Sequence, residues 1–418
     1  MAQGLGETYL SALMVWLGAG SLVLGLVGAL PTAATAFSQV VAARILAGAS
    51  GARAFIRRTW LLQALALAVV GSFALLPGRW AVPLVLAGAT SAWFLGGLSV
   101  PAWTSLVART VPRPRYGWFF GLRGAAQQIG IVAAILGGGL LLASAEAAGA
   151  LALGFVLVFG LAGMSRAVGS GLLLEVPERV QSRRGPPVRA LLRELGTSVK
   201  FRRLATYLWA IHFATWVAVP FFLPYMLRDL EFGYRQVGVL IAVPAVVKAL
   251  TMRVWGRVAD RIGPGPLLRT VGWCVLPVSA LWLVSGQFWW IAFAQVYAGL
   301  AWGAFELAQA SALLQTTRGR ESTIALFNLV DGGAMITGSV IGGLIVMGAE
   351  RVTGAGFLMA IAVSTGLRGL TAVLLLRRVR RIGKPRWSHL SMPLRLWGIR
   401  AARGPTFRPW SSLPPAAE

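Results

Sequence analysis

The sequence predicts an all-α membrane protein, twelve spans arranged as two six-helix bundles. Three observations predict it. Apolar residues make up 57% of the 418 and charged residues only 12%, too few charges to cover a water-soluble chain of this length. Stretches near twenty residues, almost free of charge, recur along the whole length; each is long enough to cross the roughly 30 Å hydrocarbon layer as a helix. The loops between them alternate between basic and nearly uncharged.

Taken in order, spans at 4–17 and 20–43 are parted by the Gly18–Gly20 turn and followed by a basic loop at 44–58. Spans 59–76 and 81–107 flank Arg79, and a second basic loop follows at 109–115. Spans 121–143 and 148–173 flank Glu146. Segment 174–203 then carries eight basic residues and an "RRGPP" breaker, dividing six spans from six. Spans 204–226 and 233–253 are joined by a short loop with Arg228, Asp229 and Glu231, and Arg235 follows it. A basic elbow at 253–269 leads to spans 268–286 and 288–313, and Arg318 and Arg320 precede the last two, 323–348 and 353–376, which flank Glu350 and Arg351. A basic, proline-rich tail runs over 377–418 and is expected to be disordered at the membrane surface.

This division gives an N-terminal bundle at 1–173, a linker at 174–203, a C-terminal bundle at 204–376 and the tail. The charge alternation is the positive-inside pattern. It predicts a multi-pass membrane protein with both termini and the linker in the cytoplasm. The net charge of +26 is then directed at anionic lipid headgroups and not at nucleic acid. "MAQGLGETYLSALMVW" lacks a basic n-region and a clean cleavage site, so it does not read as a removable signal. The first span is short, about 17 residues before the turn where span seven has more than twenty, and the expectation is a helix clipped at its start with a coding start upstream.

The halves echo one another. "GLRGAAQQIGIVAAILGGGL" at 121–140 aligns without a gap on "ALFNLVDGGAMITGSVIGGL" at 325–344, placing Gln127 on Asp331 and Gly138–Gly139 on Gly342–Gly343. Arg166 and Arg368 hold similar places near the ends of their halves. Such duplication is a common transporter design.

"GRVADRIG", residues 256–263, sits in the elbow between spans eight and nine. It resembles the G-x-x-x-D-R-x-G loop signature of the major facilitator superfamily, found there between helices two and three and often repeated between eight and nine. The resemblance covers roughly residues 4–376. It implies the major facilitator fold and a gating latch formed by Gly256, Arg257, Asp260, Arg261 and Gly263. The equivalent first-half stretch, "ARILAGASGARAFIRR" at 43–58, has glycines and basic residues but no aspartate. "ETYLSALMVWLGAGSLVLGLVGALP", "VPAWTSLVARTVPRPRYGWFFGLRG" and "FELAQASALLQTTRGRESTIALFNLVDG" also look like bacterial members of unassigned substrate.

Charged groups inside spans are costly and face a cavity or a partner. Here they are Glu7, Arg123, Arg166, Lys248, Glu306, Asp331 and Arg368. The resemblance implies that helices one, four, seven and ten surround a central cavity. That puts Glu7, His212, Tyr225, Glu306 and Gln309 forward as substrate or proton-pathway residues. Glu306 equally suits a structural ion pair, and His212 a bond to a backbone carbonyl. Arg123 and Asp331, near the ends of spans five and eleven, read as gate or packing charges. Arg166 and Arg368 are placed to snorkel to headgroups. Trp80, Trp289 and Trp290 read as interface anchors, while Trp16, Trp93, Trp103 and Trp216 suit either an aromatic cavity or ordinary packing.

One cysteine, Cys274, and two histidines, His212 and His389, are too few for a metal centre, and no cofactor is expected. There is no nucleotide-binding G-x-x-x-x-G-K-[ST] loop and no nucleophile elbow, so an enzyme is not expected. The leading expectation is a monomeric secondary transporter of a small solute, coupled to a gradient that includes protons as a candidate, with uptake and efflux both open. A non-transporting membrane sensor or assembly partner on the same fold is the alternative. A continuous polar cavity would separate the two.

Overall fold

The computed structural model describes residues 1–45, 51–110, 116–175, 199–317 and 321–381; the linker, the tail and two of the basic loops lie largely outside them. Every regular element among the described residues is helical. The N-terminal bundle holds α1 (Ala2–Trp16), α2 (Ser21–Ile45), α3 (Ala52–Ser72), α4 (Gly78–Thr110), α5 (Tyr116–Ala147) and α6 (Leu151–Leu172). The C-terminal bundle holds α7 (Val199–Trp216), α8 (Phe222–Arg228), α9 (Tyr234–Ile262), α10 (Pro264–Cys274), α11 (Leu276–Ala280), α12 (Phe288–Thr317), α13 (Glu321–Thr353) and α14 (Gly356–Leu375). Eleven segments among the described residues are long and apolar enough to cross a membrane. The fifteen residues of α1 reach about 22 Å at 1.5 Å each, short of the hydrocarbon thickness.

Two spans are broken, and the breaks have chemical causes. Span seven runs Val199–Arg228 but leaves helical geometry after Trp216, with Pro220 opening a 3₁₀ turn. Lipid offers no water to the carbonyls such a break frees. Serines from neighbouring helices take them: Ser364 Oγ donates to the Ala214 oxygen at 2.6 Å, and Ser339 Oγ to that of Trp216 at 3.5 Å. Span nine breaks between α10 and α11, where Pro277 removes an N–H. Its carbonyls are met by the Tyr297 hydroxyl on Cys274, 2.9 Å, and by the Arg368 guanidinium on Val275, 3.4 Å. The elbow expected at 253–269 is tighter than that range. Helix α9 continues to Ile262, and the whole turn is made at Gly263, whose φ of +84° favours glycine.

The burial pattern is asymmetric along the bundle axis. At the end that carries the near-neutral loops, one apolar cluster runs through both bundles: Tyr9, Met14 and Phe155 from the first, with Phe221, Tyr225, Tyr234, Trp282 and Phe357 from the second. At the arginine-rich end the cores are separate, one around Leu204, Phe305 and Leu376 in the C-terminal bundle, the other around Ile56, Ala102 and Leu106 in the N-terminal bundle. The joined end is held by close backbone approach. A Cβ on Gly25 of α2 would stand 2.6 Å from the Ser339 carbonyl of α13, and one on Gly139 of α5 3.4 Å from the Gly238 Cα of α9. Small residues allow helices in lipid to meet in this way. Polar clasps add to it: Ser21 Oγ donates to Glu350 at 2.9 Å, and the Arg228 guanidinium to the Ala19 carbonyl at 2.7 Å. In the same loop, burial first and the nearby Glu350 second push the Asp229 carboxyl above its ordinary range, against the pull of Arg228.

Gly25→Val is therefore expected to lower stability by about 1–3 kcal/mol through overpacking against fixed backbone. Gly20→Ala, at a site with open space for a Cβ, is expected to be near neutral. Thermal unfolding of the two purified variants in one detergent compares them. Equal midpoints would remove Gly25 from the account of the joined end.

Candidate functional site

The most enclosed acid–base pair among the described residues forms where α7 and α13 meet. His212 is near the middle of span seven and Asp331 lies ten residues into α13. Their residues are 8% and 6% exposed. The ring Nδ1 stands 2.6 Å from one carboxylate oxygen of Asp331 and 2.7 Å from the other. That ring nitrogen thus faces the fork of the carboxylate at hydrogen-bond distance. Phe305 of α12 meets the imidazole edge-on at 6.3 Å, closing that side to water. The next residue, Gly332, faces α2 of the opposite bundle: a Cβ there would stand 3.6 Å from Ala36 Cβ and 4.0 Å from Ala33 Cα. The pair thus belongs to one bundle but borders the surface where the two meet.

A second pair lies between α9 and α12. Lys248 Nζ is 2.9 Å from both oxygens of Glu306. Gly303, one turn before Glu306, leaves room for the lysine stem; a Cβ there would stand 3.2 Å from Lys248 Cγ. The side chains are 25% and 50% exposed, so this pair is reachable from outside the bundle. An ion pair half open at mid-span requires water beside it, because exposed charge in hydrocarbon is strongly disfavoured.

The other sequence candidates are placed as follows. Glu7 is exposed on α1, beside Gln3 on the preceding turn. Tyr225 is buried against Trp282, ring centroids 6.3 Å apart, within the shared apolar cluster. Gln309 is half-buried on α12. Arg123 is exposed, its guanidinium 5.8 Å from the Trp103 ring. Along the latch signature, Gly256 sits inside α9 with open space at its Cβ position, Arg257 and Arg261 are exposed, and Gly263 makes the turn. The side chain of Asp260 lies outside those described. Gly256 is thus not needed for close helix approach here; the glycine requirement falls on Gly263.

One of the two arginines expected to snorkel, Arg368, is instead enclosed within the bundle. Arg368 is 1% exposed and lies over the Trp302 ring at 5.9 Å while donating to the broken span nine. Its place inside the bundle follows from that break, whose carbonyl terminus attracts a cation. Arg166 lies over Trp60 at 5.4 Å, half-buried, its Nε without a hydrogen-bond partner. Sequence reasoning named His212, Asp331 and Glu306 but not their pairing, and gave Lys248 no partner. The signal was present in the charges alone. An isolated Lys in span eight and an isolated Glu in span ten each need an opposite charge in lipid, as do the His of span seven and the Asp of span eleven.

Residues 204–413 match the family model described as Major Facilitator Superfamily. No curated protein matches the chain. Among solved structures it is similar to a bacterial homologue of the human lysosomal transporter Spinster in an inward-facing, occupied conformation, at a TM-score of 0.68 and 14% identity over 91% of this chain and 96% of that one. It is also similar to a D-xylose–proton symporter, at 0.67 and 13% over 91% and 95%. The nucleoside transporter NupG aligns at 0.64 and 14% over 91% and 98%. At these identities the likeness is one of fold.

Removing one member of the Lys248–Glu306 pair leaves the other charge unmatched, whereas removing both does not. Glu306→Gln is expected to destabilise more than the Glu306→Gln, Lys248→Met double variant does. For so exposed a pair the coupling read from the double-mutant cycle is about 1 kcal/mol. A cycle that closes at zero would show that the contact contributes nothing to stability.

Proposed function

Because the chain belongs to the Major Facilitator Superfamily, we propose that it is a secondary active transporter that moves a small solute by alternating access and couples the movement to protons at His212 and Asp331. The observation that carries the coupling is the buried pair itself. With both ring nitrogens protonated, the imidazolium–carboxylate pair is neutral overall; with one proton fewer it carries a net negative charge, which a low-dielectric enclosure resists. On this reading the proton is held while the pair is sealed and exchanged when water reaches it. That asymmetry is what a coupled carrier requires, since its empty and loaded forms must differ in which conformation they favour.

The alternating-access part rests on the asymmetric cores. One end joins the bundles through a shared apolar cluster, and the arginine-rich end keeps a core for each bundle. A rocking motion about such a join exchanges which end is sealed. The Lys248–Glu306 pair and Glu7, exposed within their helices, are the polar groups that a solute entering between the bundles would meet. The positive-inside pattern supports placing the arginine-rich end in the cytoplasm, and with it an inward-facing arrangement in a cytoplasmic membrane.

The test uses the purified chain reconstituted in vesicles holding a trapped pH indicator. Sugars, nucleosides, amino acids, organic anions and cationic drugs are presented in turn, each first screened for a thermal shift at acidic and neutral pH. A solute that stabilises the protein is expected to drive proton flux across wild-type vesicles. Asp331→Asn is expected to retain the thermal shift and lose the proton flux. Solute entry with no proton movement in wild type would sink the coupling assignment while leaving transport. A folded protein that carries none of the panel would favour the sensor or assembly role.

A further inference from the structure

Two side-chain hydrogen bonds cross from one bundle to the other at the joined end, and both reach the turn between α1 and α2. That turn is fixed by its own backbone. Gly18, at a φ of +76°, reverses the chain, and the Ala19 N–H returns to the Met14 carbonyl at 2.9 Å. The reversal leaves the Ala19 carbonyl outside the helix ladder, where the Arg228 guanidinium takes it from the opposite bundle at 2.7 Å. Ser21 begins α2 against α13, where a Cβ on Gly343 would stand 3.0 Å from Leu22 Cα. Its hydroxyl donates to Glu350 at 2.9 Å.

Arg228 thus gives its charge to a neutral carbonyl, although the next residue in the chain is a carboxylate. An ionised acceptor makes the stronger bond. The backbone of Asp229 is held in place, its N–H and that of Leu230 both on the Tyr225 carbonyl at 3.1 and 3.0 Å. Its side chain is exposed. Partial burial, and after it the charge of Glu350, hold its carboxyl above the ordinary range while Arg228 pulls the other way. The other titratable groups at this end are Tyr225 of α8 and Tyr234 of α9, both buried. The remaining charges, all exposed, are Glu231 and Arg235 nearby in the chain, Arg351 on α13, and Arg79 and Glu146 on the N-terminal bundle. Asp229 and Glu350 belong to the same bundle, so rocking leaves their separation unchanged. What it alters is Arg228, which is freed when the Ala19 carbonyl withdraws.

We propose that Arg228 and Asp229 form a proton-sensitive gate at the joined end. With Asp229 protonated, Arg228 stays on the Ala19 carbonyl and the bundles are held together. With Asp229 ionised, Arg228 turns to its neighbour and the hold on Ala19 is lost. Sealing therefore favours the protonated carboxyl, and by linkage a proton favours sealing. The bias is full below the ordinary carboxylate range and disappears as pH rises through the raised one. This gate presupposes the alternating-access reading, since it acts only where the bundles part, but it needs no proton at His212 or Asp331.

Spin labels at Ala148→Cys on the N-terminal bundle and Val352→Cys on the C-terminal one, both exposed sites, report the width of this end by dipolar distance. Cys274→Ser removes the native thiol. In the full chain, the ratio of short to long distances is expected to be about threefold or more higher at about pH 5 than at about pH 8. The same response is expected when His212→Gln and Asp331→Asn remove the buried pair. Asp229→Asn is expected to hold the high ratio at both pH values, and Arg228→Met the low ratio at both. A general loosening of the fold does not produce opposite shifts in variants one residue apart. A pH response that survives intact in Asp229→Asn would overturn the gate. So would a response that vanishes with the buried pair, an outcome that leaves proton-coupled transport standing and gives the pH effect to that pair. A single distance at both pH values in every variant would overturn the gate together with the rocking it presupposes. Asp229→Asn, at an exposed position, decides the question even if Arg228→Met misfolds.

Discussion

The contact that the rest of this structure depends on is the close approach of two helix pairs at one end of the molecule, α2 on α13 and α5 on α9. Where Gly25 lies under the Ser339 carbonyl and Gly139 against Gly238, the bundles meet backbone to backbone. There Phe155 packs edge-on to Tyr234, centroids 6.0 Å apart, and the apolar cores of the two bundles merge. Lipid supplies no hydrophobic drive for this join, since a leucine gains nothing by leaving acyl chains for a neighbouring helix. It is held by dispersion at short range and by a few polar clasps such as Ser21 with Glu350. Such a join is specific in geometry and modest in energy. Two rigid bodies connected in this way can be sealed at one end without being fused along their length.

The same solvent explains how the charges are disposed. The intramembrane cations Lys248, Arg368, Arg123 and Arg166 show three different answers to the absence of water. Lys248 takes a carboxylate, Arg368 takes a freed carbonyl and an indole, and Arg123 and Arg166 rest on indoles. The answers differ in strength. A carboxylate neutralises the charge, a carbonyl and an aromatic face only soften it. Among the described residues, the C-terminal bundle has matched its charges more completely than the N-terminal one. That contrast runs against the duplication of the two halves. The aligned position of Asp331 is Gln127, so the acid that accompanies His212 in one half has no counterpart in the other.

Much of the fold was legible because lipid writes its demands in long, uniform runs. Among the described residues eleven of the expected spans recur as helical segments of sufficient length, two of them broken, and the short α1 was visible in the position of Gly18–Gly20. Span ends were less legible where a helix runs past the hydrocarbon. Arg257 and Arg261 read as loop residues because they are charged, yet α9 carries them to Ile262 before turning. The breaks in spans seven and nine were hidden for a different reason. Pro220 and Pro277 are visible in the sequence, but Pro31, Pro83, Pro101 and Pro244 sit inside continuous helices. What separates the two cases is a set of distant donors, Ser339, Ser364, Tyr297 and Arg368, that take up the freed carbonyls. The site residues were legible as types. Their partners were not, since pairing across spans seven and eleven is a matter of rotation about helix axes that no local pattern records.

The location of the His212–Asp331 pair decides how it can respond to movement. Both residues belong to the C-terminal bundle, so a rigid rocking of the bundles neither stretches nor breaks the contact. What changes is the cover. Gly332, the residue after Asp331, faces α2 across the bundle boundary, where an added Cβ would stand 3.6 Å from Ala36 Cβ and 4.0 Å from Ala33 Cα. A glycine facing two alanines buries little area, so parting them costs little. In the proposed cycle, withdrawal of α2 at this depth admits water beside the carboxylate, and its return expels that water. The proton is then held or released according to hydration, with Asp331 at a fixed distance from His212 throughout. Coupling by cover differs from coupling by a breaking ion pair in one respect that follows from geometry. Enlarging Ala33 or Ala36 should disturb it as much as altering the acid does, because the side chains that open and close the pair come from the opposite bundle.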